Sequence, residues 1–250
     1  MAEEVQPVRL QADTLEAFET YIREAEAGMD QPPPGAPFLW SDADPKRAGK
    51  VRQGKIVAEF WTGKSPLRVP EGLIHDWIGA AAVPGATMLS LLARIQDYDN
   101  HKNIYRPDVI DSKLISRDGD DFKIYLRIVK KKIITVVMDT DHDVRYFSLD
   151  GARGGCLSRT TRIAEVDDAG KPDEKVQPPD AGYGFLWRLN SYWRFHERDG
   201  GVIIECRAIS LTRDIPAALK WIIEPMVRSL PKEALINTLK ATRHAVLGVG

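Results

Sequence analysis

Polar and aromatic side chains alternate along several stretches of this chain, at the spacing that places them on one face of a strand. Tyr125 and Arg127 form one such pair. Arg159 or Arg162 belongs to the next set, Asn190, Tyr192 and Arg194 to a third, and Glu205 and Arg207 to a fourth. Gathered on the concave face of a sheet, these groups would orient a ligand whose apolar part is buried. Tyr192 or Glu205 would then be the candidate acid/base, and Arg194 or Arg207 would stabilise an enolate or meet an anionic or carbonyl head group. The same alternation fits the outer face of the sheet, with Trp193, Phe195, Ile204 and Cys206 pointing inward. Both arrangements stay open. Trp187, Leu189, Trp193 and Phe195 are too large to leave exposed, so on an outer face they would need the helix predicted near the N-terminus as a cover. Trp221 and Met226 complete the candidate ligand contacts, because an indole and a thioether adapt well to apolar guests; core packing is the competing role.

Other chemistries lack their motifs. Residues 139–143 read Asp-Thr-Asp-His-Asp, rich in oxygen like a cation loop. Val144 stands where an EF-hand needs glycine, and the flanks read as strand. The five histidines, at 75, 101, 142, 196 and 244, show no His-Glu-x-x-His spacing. There is no Gly-x-Ser-x-Gly elbow, no P-loop and no dinucleotide fingerprint, so neither metal nor cofactor is expected. A net charge of −1 over 250 residues gives no electrostatic case for nucleic acid or an anionic membrane. Residues 77–93 carry no charge, but Pro84-Gly85 divides them and the run is too short to span a bilayer comfortably. Stable membrane insertion is therefore not expected. The acidic start, Met-Ala-Glu-Glu, is unlike a signal peptide. Compartment and oligomeric state stay open.

The elements that must position these residues follow from periodicity. Residues 13–27 form an amphipathic helix through Leu15, Phe18, Ile22 and Ala25, with Gly28 as its stop. Residues 31–37, with four prolines and a glycine, form a linker. Strand character appears at 55–62 and 72–83, and a helix at 87–97 buries Met88, Leu91, Leu92 and Ile95. Closely spaced strands follow at 109–116, 122–129, 133–138 and 155–166, with 144–147 a candidate continuation of the third past the polar 139–143. A polar excursion over 167–184 leads into a hairpin of 185–197 and 202–211. Its turn, Arg198-Asp199-Gly200-Gly201, should hold a residue at positive φ, Gly200 first. Cys156 and Cys206 would have the 185–197 strand between them, roughly 9–10 Å apart and beyond disulfide reach. A terminal helix over 216–246 carries the stripe Ala234, Leu235, Thr238, Leu239, Thr242, Ala245 and Val246. Pro225 is expected to kink or restart it, and Pro231 to sit in a first turn.

This order, and the stretch from Leu91 to Asp99 followed by Tyr105-Arg106-Pro107-Asp108-Val109, resembles the START/Bet v 1-like (SRPBCC) superfamily. The resemblance covers about residues 72–246 and leaves 1–71 as an N-terminal extension to a START-like domain at 72–250. It implies an α+β helix-grip fold: a curved antiparallel sheet around the last helix, with a cavity between them. Members bind lipids, sterols and other hydrophobic small molecules, and some catalyse polyketide cyclisation or dehydration; fold alone does not settle which. The first expectation is thus reversible binding of a hydrophobic or amphipathic molecule. A polyketide cyclase/aromatase-like enzyme is the alternative, and an interaction protein with a filled core is the third. A cavity above ~300 Å³ favours the first two, and a perturbed carboxylate or phenol inside it favours the enzyme.

Overall fold

The computed structural model describes residues 7–30, 33–63, 66–131, 135–214 and 220–248, with the backbone alone for 220–228. In chain order the elements are β1 (Val8–Arg9), α1 (Ala12–Asp30), a 3-10 turn at Trp40–Ala43, α2 (Pro45–Arg52), β2 (Val57–Phe60), β3 (Leu67–Val69) and β4 (Gly72–Pro84). Next come α3 (Met88–Ile95), a second 3-10 turn at Tyr98–Asn100 and α4 (His101–Ile104). The strands β5 (Val109–Asp118), β6 (Asp121–Lys131), β7 (Thr135–Ser148) and β8 (Arg153–Asp167) follow. Two short strands, β9 (Lys175–Val176) and β10 (Ala181–Gly182), precede the hairpin β11 (Arg188–Arg198) and β12 (Gly201–Arg213), and α5 (Lys220–Leu247) ends the chain.

The main sheet runs in the order β2-β4-β12-β11-β8-β7-β6-β5, antiparallel throughout, with β3 extending the β2 edge. The fold is α+β, and α5 lies in the concave side of the sheet, the helix-grip arrangement. The expected stripe faces inward: Leu235, Leu239 and Thr242 are buried, and Leu235 and Leu239 join the core with Trp77, Phe195, Ile204 and Cys206. Gly79 allows this approach, because a Cβ there would lie 2.8 Å from the Leu239 side chain and 2.9 Å from the Val57 carbonyl. Bulges in the β5–β6 pair and between Asp141 and His142 of β7 help bend the sheet.

Some expected boundaries move. Helix α1 continues past Gly28 to Asp30, and β7 is one strand that runs on through the polar 139–143 into 144–147. The alternation of inward and outward side chains continues across that segment, so its aspartates need no loop. Asp139 pairs with Arg127, Asp141 with Arg162 and Asp143 with Lys123. Among the described residues no group of three metal-ligating side chains assembles. Helix α5 runs without interruption from Lys220, so Pro231 lies in its interior; packing of Leu235 and Leu239 on the sheet outweighs the local preference for a start. The side chains around Pro225, and residues 132–134 beyond the end of β6, lie outside the described residues. Among the described residues no helix is long and apolar enough to cross a membrane.

Of the residues before β4, β2 and β3 join the edge of the sheet, while α1 and the segment from Phe38 through α2 pack on its outer face. Phe18 and Ile22 of α1 meet Ile74, Trp187, Ile209 and Leu211. Leu39, Val51 and Val57 meet Ala80 and Ile203. Asp44 caps α2 by accepting from the Lys46 amide at 2.7 Å, with Pro45 in the first turn.

The β11–β12 turn has Asp199 at φ 52° and Gly200 at φ 74°, the paired left-handed residues of a two-residue hairpin. Space around Gly200 is open. Gly200→Val should therefore cost only its backbone strain, about 1–2 kcal/mol. A denaturant midpoint unchanged from the parent would contradict this turn geometry.

Candidate ligand-binding cavity

A cavity of about 1060 Å³ lies between the concave face and α5. It is larger than a drug-sized site needs. Its floor comes from alternate residues of five strands: Leu126 and Ile128 on β6, Met138 and Val144 on β7, Cys156 on β8, Leu189 and Trp193 on β11, and Cys206 and Ala208 on β12. Leu230, Pro231, Ala234, Ala241 and Ala245 of α5 form the roof. The small residues Ser158, Ser191, Ala208 and Ser210 leave room that larger residues would fill.

Four phenols line the cavity, those of Tyr98, Tyr105, Tyr146 and Tyr183. The Tyr98 and Tyr146 hydroxyls lie 2.8 Å apart, and Tyr105 meets the Thr242 hydroxyl at 3.1 Å. Burial raises the pKa values of Tyr98, Tyr105 and Tyr146, Tyr105 to about 12, so these phenols stay protonated. Burial also pushes the Cys156 thiol up to about 12 and holds the Cys206 thiol well above its ordinary value. Neither is a thiolate nucleophile at neutral pH. Both are free, and Trp193 pairs with each of them, one strand on either side, as the strand order required.

His101 and His142 line the cavity and are buried, each held neutral with its pKa lowered to about 4 by desolvation. His101 lies 3.0 Å from the Ile95 carbonyl. At one end of the cavity, the buried Glu165 carboxylate accepts from the backbone amides of Tyr183, Gly184 and Phe185 at 2.7, 3.0 and 3.1 Å. It thereby fixes the turn that brings Tyr183 and Phe185 to the lining. The charged lining groups stay at the periphery. Arg94, Arg106 and Lys240 are exposed, Lys130 pairs with Asp108 at 2.7 Å, and Asp214 with Arg68 at 2.7 Å.

The polar residues singled out by alternation lie on the other face. Tyr125, Arg127, Tyr192, Arg194, Glu205 and Arg207 are not among the cavity-lining residues, which corrects their expected role as ligand contacts. The pleat turns Leu126, Trp193, Cys206 and Ala208 inward, so their neighbours must face out. There they anchor chain. Arg207 makes a bidentate pair with Asp76 at 2.9 and 2.6 Å, and Tyr21 of α1 donates to the same carboxylate at 2.7 Å. Glu205 accepts from the Trp40 and Ser41 amides at 2.8 and 2.7 Å, while Arg194 donates to the Phe38 carbonyl at 2.8 Å. Tyr192 donates to Glu26 of α1 at 2.7 Å, and Arg159 pairs with that carboxylate at 2.6 Å. Further along the sheet, Tyr125 and Arg127 both reach Asp139 at 2.7 Å, and Arg127 also reaches Glu174 at 3.0 Å. The side chains of Trp221 and Met226 lie outside the described residues.

Alternation alone missed the inward set, Tyr98, Tyr105, Tyr146, His142, Ser158, Ser191 and Ser210. One signal could have found part of it: Cys206, Ala208, Ser210 and Thr212 are small or short at every second position of β12.

No protein-family model matches the chain, and no curated protein matches it. Solved structures similar to it include a STAR-related lipid transfer protein from Xanthomonas axonopodis, at 18% identity and TM-score 0.47, covering 73% of this chain and 98% of that one. The Zhui aromatase/cyclase from Streptomyces sp. R1128 has 11% identity and TM-score 0.47, covering 70% of this chain and 94% of that one. Human STARD10 has 10% identity and TM-score 0.46, covering 96% of this chain and 83% of that one. In this chain the antiparallel sheet and the terminal helix α5 form a helix grip.

Two measurements separate the faces. Arg207→Met leaves Asp76 buried without its cation, since the two side chains are only 7% and 4% exposed. Stability should fall by about 3–5 kcal/mol, read from urea denaturation. A loss below about 1 kcal/mol would show that the pair does not hold the extension. The second concerns acid. His75, His101 and His142 each have a folded pKa near 4 against 6.5 for the free imidazole. Their contribution is complete above pH 6.5 and is lost as pH falls from 6.5 through 4, because the unfolded chain takes up the proton first. Glu165 and Glu205, pushed up by burial, act in the opposite sense. The difference between parent and His142→Gln isolates the imidazole: the variant should lose less stability over that range, and equal losses would contradict its burial as a neutral group.

Proposed function

We propose that this protein binds a hydrophobic or amphipathic small molecule reversibly in the cavity under α5 and does not transform it. The observation that carries this reading is a cavity of about 1060 Å³ with a mainly apolar lining among the described residues. Burial supplies affinity at about 0.8 kcal/mol per methylene, so a chain entering the cavity gains steadily with length.

A polyketide cyclase/aromatase-like activity is the competing reading, and the phenols Tyr98, Tyr105 and Tyr146 are the feature that favours it. The residues first expected to carry that chemistry, Tyr192, Glu205, Arg194 and Arg207, hold the N-terminal segment instead. Tyr98, Tyr105 and Tyr146, which do line the cavity, have raised pKa values, which suits hydrogen-bond donation and makes them poor bases.

A fluorescence displacement titration across fatty alcohols of increasing chain length tests the binding reading. Affinity should rise about fourfold per added methylene until the cavity is full, then level off. Recovered alcohol should be unchanged by mass spectrometry. Affinity independent of length would remove the cavity from the explanation, and a chemically altered ligand would put the enzyme reading first.

A further inference from the structure

A transverse band of neutral polar groups crosses the otherwise apolar floor. His142 lies on β7, Ser158 on β8, Ser191 on β11, and Ser210 and Thr212 on β12, all lining the cavity. The register makes them neighbours. Ser158 faces Ser191 directly, Ser191 faces Ala208, and Ser210 is the next inward residue along β12. Inward residues in such pairs lie about 5 Å apart, within reach of one ligand functional group. At the far side of the band, Thr212 meets the buried His75 ring at 3.1 Å.

The hydrogen-bond directions can be assigned at the β7 end. The Thr140 hydroxyl has one hydrogen, and it donates to the Leu126 carbonyl at 3.0 Å. It can then only accept from His142 Nε2, 2.9 Å away, so the ring proton sits on Nε2. His142 Nδ1 is left as an acceptor, 3.4 Å from the Ser158 hydroxyl. The Ser158 lone pairs are thus free for a donor. Among the described residues the Ser191 and Ser210 hydroxyls have no hydrogen-bond partner, although both border the cavity. Serine and imidazole can both donate and accept, and none of the five side chains of the band carries a full charge; Arg213 and Asp214, which follow Thr212 in the lining, have interactions of their own.

We infer that the ligand carries a neutral oxygen function, a hydroxyl or carbonyl, within its apolar skeleton, and that Ser158, Ser191 and Ser210 recognise it. This rests on the reversible-binding reading above and adds a selectivity to it. Burying a carboxylate on this band would leave its charge without a cation, whereas an alkane would leave the hydroxyls unpaired. A ketone accepts from Ser191 or Ser210; a secondary alcohol can also donate to Ser158.

The test uses four probes with skeletons of about sixteen carbons: the alkane, a mid-chain ketone, a mid-chain secondary alcohol and the terminal carboxylate. Each displaces a reporter dye from the full chain. Ketone and alcohol should bind about two- to tenfold more tightly than the alkane, the range expected of a hydrogen bond. Ser191→Ala and Ser210→Ala, checked for unaltered thermal unfolding, should bring the ketone-to-alkane affinity ratio towards one. Equal binding of ketone and alkane by the parent protein overturns the inference while leaving the cavity reading intact. So does tightest binding of the carboxylate, or an affinity ratio unmoved in both variants. Displacement by none of the four overturns the cavity reading as well.

Discussion

A charge taken out of water must keep a partner, and this requirement shapes the outer half of the molecule. Asp76 and Arg207 lie on adjacent strands of the sheet, both buried. Their pairing is bidentate, and Tyr21 from α1 closes the remaining side of the carboxylate. Glu205, two residues along β12, is satisfied by backbone amides of the 3-10 turn at Trp40–Ala43. The apolar contacts of α1 and α2 with the sheet exclude water from these groups, and the groups in turn fix where those helices sit. Breaking one partner of such a set costs far more than the set contributes over an apolar replacement. The N-terminal segment is thereby tied to one position on the sheet.

The concave side follows the opposite rule. Its interior titratable groups are kept neutral, phenols and thiols protonated and imidazoles unprotonated. Among the described residues, the charged lining groups Lys130 and Asp214 keep a partner in Asp108 and Arg68. One sheet thus separates an ionic seam from a neutral hollow.

How much of this was legible in the sequence depended on which physical signal was local. The strands, the Asp199-Gly200 turn and the α5 stripe each rest on a period or a backbone preference within a few residues, and each is present. The gap between Cys156 and Cys206 followed from strand order. The face was not legible. Tyr192 and Trp193 are neighbours, both aromatic, and alternation treats the two faces alike. What decides is docking of residues 38–42, whose Phe38 carbonyl and Trp40 and Ser41 amides receive Arg194 and Glu205. Backbone groups of an irregular segment leave no mark in the sequence. The partners of the 139–143 run were not legible for a related reason: its aspartates find cations on neighbouring strands, far away in the chain.

The partition between the faces has an evolutionary consequence. Along β11 and β12 the odd- and even-numbered residues answer to different demands, one set to the extension and the other to the guest. Point substitutions at Ser191, Ala208 or Ser210 can reshape the hollow while Arg194, Glu205 and Arg207 keep their partners. Selectivity can therefore drift without loss of the scaffold. Insertions and deletions are another matter. One added residue in either strand would turn arginines and a glutamate into the hollow and cysteine and serine toward α1, exchanging both sets at once. Lineages of this fold should therefore vary freely by substitution within these strands and change length only in the connections between them.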